Sequence, residues 1–121
     1  MADFDQDKVV TTLKAYLKLC SKASNRPVIL KDQSFLQVLK TLVSDDRVVI
    51  MTYLVKILLL LTENSDDVEA MCAIPEIEQK LSNATEKQFP PNIVYNMLVI
   101  VSRLKAAQNK LARSRLVEVS C

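Results

Sequence analysis

VVIMTYLVKILLLL, from Val48 to Leu61, is fourteen residues interrupted only by Thr52 and Lys56, and the fold turns on what such a run can be. A membrane span needs about 18–20 apolar residues to cross some 30 Å of hydrocarbon, so this run is too short, and it carries a lysine. A typical strand has about 5–6 residues, whereas the pattern here extends from Arg47 to Thr62. Helix is therefore the expectation. With about 100° between successive helical residues, Asp45, Thr52, Lys56 and Glu63 fall within about 20° of one line, and nearly everything else around the circumference is apolar. A helix with so narrow a polar edge needs neighbours on several sides. The run is expected in the middle layer of a helical stack, with the Lys56 stem over apolar neighbours and its ammonium in water near Glu63 or Asp45.

The composition supports a folded domain and removes much chemistry. Half of the 121 residues are apolar, enough for a core without disulfides or metal. There is no Gly, although average usage would put about 8 in a chain of this length. Phosphate-cradling loops of the P-loop or dinucleotide type need glycine's access to positive φ and close backbone approach, so both are excluded. His and Trp are absent as well. That removes Ser-His and Cys-His nucleophile pairs and His-containing zinc sites. Cys20, Cys72 and Cys121 are odd in number, widely spaced and without a C-x-x-C pair, so reduced thiols are expected, with no disulfide framework or thiolate metal site. No cofactor or metal is expected. The opening MADFDQDK carries acids where an export or transit signal needs basic and apolar residues, which points to a cytoplasmic protein.

Sliding the chain on itself by 41 residues places Val9, Val10, Leu13, Tyr16, Leu17, Leu19 and Cys20 on Ile50, Met51, Leu54, Ile57, Leu58, Leu60 and Leu61, apolar on apolar throughout. A third copy follows Pro90-Pro91, with Leu98, Val101 and Leu104 on Leu54, Ile57 and Leu60 at an offset of 44. Periods of about 40–47 residues mark helical solenoids whose units bury their faces by stacking. Local signals give the elements: a long helix 6–22, a short one from Pro27 to Lys31, and a second opened by a Ser34 capping box and running to about Val43. The buried helix spans 46–62, with Asp45 and Asp46 at the positive end of its dipole. Helices at 66–72 and from Pro75 to Asn83, a loop at 85–89 and a final helix from Pro90-Pro91 to about Val117 complete the chain. The fold class expected is all-α, a short right-handed α-solenoid of the armadillo or HEAT kind with about two to three repeats. It forms one domain over residues 1–121, with 106–121 as a basic C-terminal helical extension.

Asn25-Arg26-Pro27-Val28-Ile29-Leu30-Lys31-Asp32-Gln33-Ser34-Phe35-Leu36, followed by Leu39, Leu42 and the helix start at Asp45-Asp46-Arg47-Val48-Val49, resembles an armadillo repeat. More narrowly, it is similar to the armadillo module of the armadillo repeat-containing protein 1 family, with its N-R-x-x-I-x-x-D-Q-G turn. The likeness covers residues 8 to 105, and the Asp32-Gln33 turn is its most specific part. Ser34 stands where such repeats usually carry Gly, and Ala73-Ile74-Pro75 lacks a glycine pair, so these turns should be tighter or differently shaped. The resemblance implies a non-enzymatic adaptor at the cytosolic side of the mitochondrial outer membrane, with outer-membrane proteins among its partners and a role in mitochondrial distribution or division. Armadillo arrays that bind extended cargo use a ladder of Trp and Asn. Here Trp is missing, and of Thr11, Thr52 and Asn96 only the last is Asn.

Two surfaces follow. A shallow face lined by Thr11, Lys18, Lys22, Thr52, Lys56, Glu63, Asn96 and Arg103 is expected to bind a protein partner, with Lys56 and Arg103 as surface charges whose reversal leaves stability intact. The alternative is the last helix, where Arg103, Lys110 and Arg113 lie within about 80° of one another and suit an anionic membrane or an acidic partner. Nucleic acid is disfavoured by a net charge of only +2 and by three Tyr and three Phe in all, too few for a stacking platform. Enzyme chemistry is disfavoured because the carboxylate pairs Asp45-Asp46, Asp66-Asp67 and Glu76/Glu78 each begin a helix, where capping and the dipole explain them. Apolar residues at the solenoid ends, Val9, Val10 and Leu13 on one side and Leu111, Leu116 and Val117 on the other, would favour a homodimer.

Overall fold

The computed structural model describes residues 6–74 and 76–120, with side chains as far as Arg113. Over these residues the chain is all-α, with α1 (Gln6–Cys20), α2 (Arg26–Ile29), α3 (Gln33–Leu42), α4 (Val48–Leu61), α5 (Ser65–Cys72), α6 (Ile77–Ala84) and α7 (Pro91–Ser120). A 3-10 turn at Ala23–Asn25 leads into α2. Pro75, with which the sixth helix was expected to open, and Cys121 lie outside the described residues, as do the side chains of Arg115, Leu116 and Val117.

The quoted run forms α4 over its full length, and α4 packs against α1 and α7 with α3 and α5 also in contact. Ile50, Met51, Leu54, Ile57, Leu58 and Leu61 are completely buried. Each such side chain contributes about 1.5–3 kcal/mol by leaving water. The exposed edge holds Val48 and Lys56, with Thr52 half-buried between them. Thr52 returns its hydroxyl to the Val48 carbonyl at 2.7 Å, and Thr11 does the same to Asp7 at 2.8 Å. α5 and α6 pack on α7, and Tyr16 of α1 meets Phe35 of α3 edge to face at 4.9 Å. The apolar register of the third copy is looser than that of the first two. Val101 and Leu104 are buried, but Leu98, aligned with the dry Leu54, is 52% exposed, because less of the chain lies on the outer side of α7. Leu13, expected at an exposed end, is fully buried, with Val9 and Val10 packed partly over the core.

Helix starts depart from the expected ones in instructive ways. The cap of α3 is Asp32, whose carboxylate accepts the Ser34 amide at 2.9 Å, so Ser34 lies inside the helix and the capping box reading is corrected. An ionised acceptor two residues before a free amide outcompetes a neutral hydroxyl. Before α4, Asp45 accepts the Arg47 amide at 2.8 Å and the Arg47 guanidinium at 3.1 and 2.8 Å. The Arg47 hydrogen bonds hold the Asp45 carboxyl below the usual carboxylate range against the opposing effect of burial. Glu76, before α6, has φ 63°, a left-handed conformation that costs a residue with a Cβ about 1 kcal/mol or more.

Two stability predictions follow from these turns. Asp45→Asn should lower unfolding free energy by about 1–2 kcal/mol at pH 7. A depressed folded pKa means the lost stability is present above the unfolded value of about 3.9 and fades as pH falls through the lower folded value, so urea titrations of variant and wild type should converge in acid. Glu76→Gly should raise the melting temperature, since glycine adopts the left-handed region without steric cost.

Candidate interaction surface

The surface residues are positioned by the ends of α1 and α4. Four carbonyls at the end of a helix have no intrahelical partner, and α1 finds donors in the turn that follows it. Ser21 returns its hydroxyl to Leu17 at 2.9 Å, Asn25 Nδ2 donates to the Leu19 carbonyl at 3.0 Å, and Arg26 Nε donates to the Cys20 carbonyl at 2.7 Å. Arg26 is 93% buried (relative exposure 7%) and pairs through its other arm with Glu63 at 3.2 Å. The Asn-Arg pair of the repeat-like turn is thus a cap on the preceding helix and a tie to the next layer.

Shifted by 41 residues, Asn25-Arg26 becomes Asp66-Asp67, and a carboxylate has no proton to give a carbonyl. The end of α4 is served from α7 instead. Arg103 donates to the Leu59 carbonyl at 3.1 Å and to Thr62 Oγ1 at 3.2 Å, while Thr62, itself buried, donates to Leu58 at 2.8 Å. Asp67 is 4% exposed with Oδ2 unpartnered. Burial pushes its carboxyl up, with Arg26 pulling the other way.

Around these caps the expected site residues separate. Lys56, Glu63 and Arg103 come together at the rim of a recess of about 460 Å³ floored by Leu17, Leu59 and Leu60. Glu63, Arg103 and Lys110 border a neighbouring recess of about 320 Å³ that reaches Val68 and Ala107. Thr11, Lys18 and Lys22 are exposed on or just after α1, and Thr52 and Asn96 are half-buried on α4 and α7; none of these five lines either recess. The Lys56 ammonium is placed differently from expectation. Glu63 is held by Arg26 and Asp45 by Arg47, and Lys56 lies over the Tyr53 ring, 5.4 Å from its centroid. Lys14 of α1 sits over the same ring at 5.6 Å. Lys14 and Tyr53 escaped sequence reading because a cation–π contact has no periodicity. The neighbourhood of Lys14 and Leu17 on one face of α1, three residues apart, was the available signal.

The basic face of the last helix is partly consumed. Arg103 points into α4, Lys110 is 3.9 Å from Glu69, and Arg113 is exposed. Among the described residues no group of three or more His, Cys, Asp or Glu could hold a metal ion, and no helix is long and apolar enough to cross a membrane. Burial pushes the Cys20 thiol up to about 11 against a smaller lowering by Arg26. It also raises Cys72, whose sulfur faces the Leu104 carbonyl at 3.5 Å. A further apolar recess of about 350 Å³ lies between α1 and α3, bordered by Val9, Val38 and Leu42. No protein-family model, curated protein or solved structure matches this chain.

Arg103 is therefore a structural residue, and the expectation that its reversal spares stability is corrected. Arg103→Glu should cost about 1–3 kcal/mol, because it strips a half-buried carbonyl of its donor and sets a carboxylate beside it. Lys56→Glu, on the exposed edge, should stay within about 0.5 kcal/mol. Urea denaturation of the two variants checks the contrast.

Proposed function

We propose that this chain is a non-enzymatic interaction scaffold, a short right-handed armadillo-like solenoid whose partner docks on the face where α1, α4 and α7 meet. The observation that carries the reading is the recess floored by Leu17, Leu59 and Leu60: the less buried side of α4 leaves apolar side chains half-exposed there and rims them with Lys56, Glu63 and Arg103. Apolar ground with a few polar groups at its edge is the usual composition of a binding cleft. The stacked reading draws support from contacts made at one-repeat spacing. α4 packs on both α1 and α7. Lys87, after α6, reaches Ser44 O at 3.1 Å and Asp46 at 2.6 Å in the matching segment after α3. Arg26 and Arg103 close the ends of successive long helices.

The family resemblance extends this reading to an adaptor at the cytosolic side of the mitochondrial outer membrane. Crosslinking and affinity capture from cell lysate, with the full chain and its Lys56→Glu variant, tests it. Wild type should retain partners, outer-membrane proteins among them. The variant should lose them while keeping its helical circular dichroism and melting temperature. Capture identical in the two proteins would sink the proposal.

A further inference from the structure

The recess has a charge pattern that narrows its occupant. Lys56 borders the recess and lies over the Tyr53 ring at 5.4 Å, and Lys14, which does not line the recess itself, approaches the same ring from α1 at 5.6 Å; neither lysine has a carboxylate within ion-pair distance among the described residues. Two ammoniums gathered at one ring, with no acid paired to either, make the field there positive over roughly the screening length of about 10 Å. Arg103 adds a third cation at the far rim, with one guanidinium nitrogen spent on Leu59 and Thr62. The single acid bordering the recess, Glu63, is held by the buried Arg26 and offers little repulsion to an incoming anion.

Resting on the scaffold reading above, we infer that the recess takes an acidic segment of a partner protein, with a large apolar side chain on the Leu17–Leu59–Leu60 floor and carboxylates set against Lys14 and Lys56. Charge complementarity carries the acidic preference, since carboxylates there meet lysines that no acid of the described residues neutralises. The apolar floor carries the preference for protein. A phosphate backbone or a lipid headgroup has no use for a leucine-floored hollow of about 460 Å³, whereas the apolar side chains of a peptide segment can lie on that floor. Arg103, engaged inward, confines the occupant at one end.

Fluorescence anisotropy on the full chain with three labelled synthetic peptides tests the inference: an amphipathic peptide of glutamate and leucine, and the same peptide with every glutamate replaced by glutamine or by lysine. The glutamate peptide should bind, its affinity falling with added salt. The glutamine version should bind about tenfold more weakly or worse, and the lysine version not at all. Lys14→Glu and Lys56→Glu should each weaken the glutamate peptide by about tenfold, and Lys56→Gln, which removes the charge alone, should have a smaller effect in the same direction. Equal binding of the glutamate and glutamine peptides, indifference to these lysine variants, or no binding by any peptide would each overturn the inference. So would retention of the chain on phosphatidylserine vesicles that is lost in Lys56→Glu, because the site would then be a membrane contact. The scaffold reading is judged separately by lysate capture. Capture lost in Lys56→Glu, together with equal binding of the glutamate and glutamine peptides, would keep the scaffold and discard the acidic preference.

Discussion

The burial of α4 is the constraint on which the other features depend. A helix that is apolar around most of its circumference must bury most of that surface against neighbouring helices, and α4 does so along Ile50, Met51, Leu54, Val55, Ile57, Leu58 and Leu61, while the side that carries Val48, Thr52, Lys56 and Leu59 stays exposed or half-buried. α1 and α7 do most of this, with α3 and α5 completing the wall. Every other element is held by that demand. α5 and α6 matter to α4 chiefly because they hold α7 in place, and α2 matters because Arg26 fastens the end of α1 to the layer that begins after α4.

The absence of glycine shapes how these helices stop. Most proteins end many helices on a left-handed glycine that returns amides to the last carbonyls. Here the residues after α2, α3, α5 and α6 remain right-handed, and the two long helices α1 and α4 rely on side-chain donors. Asn25 and Arg26 serve α1, and Thr62 and Arg103 serve α4. Two consequences reach the surface. Arg26 and Arg103 are committed to carbonyls, which leaves Lys56 at the recess, and Lys14 on the same Tyr53 ring, without an ion pair among the described residues. At the start of α6 the chain accepts strain in place of a glycine, with Glu76 at positive φ.

Different parts of this arrangement were legible for different reasons. The long buried helix, the 41-residue echo and the start of α7 at Pro91 are carried by periodicity and by proline's missing amide, both written directly in the residue order. The start of α3 was misplaced because two capping residues, Asp32 and Ser34, compete within one turn, and the outcome depends on backbone geometry. Lys56 and Glu63 were placed correctly at a wet edge, but their partners were not. Thr11, Lys18 and Lys22 were grouped with them by register alone; they are exposed on or just after α1, and of that helix only Leu17 borders the recess.

Taken alone, the order of residues determined that this is an all-helical chain with a long apolar central helix and no equipment for phosphate-cradling loops or imidazole chemistry. These properties depend on side-chain type and local spacing. The wet side of that helix is broader in the structure than its narrow polar edge suggested, because Val48, Val49, Tyr53, Leu59 and Leu60 share it. Tertiary structure decided which charges remain available. Arg103 became a helix cap and Lys14 joined Lys56 over Tyr53, because residues 39 to 44 positions apart meet only when α1, α4 and α7 pack together.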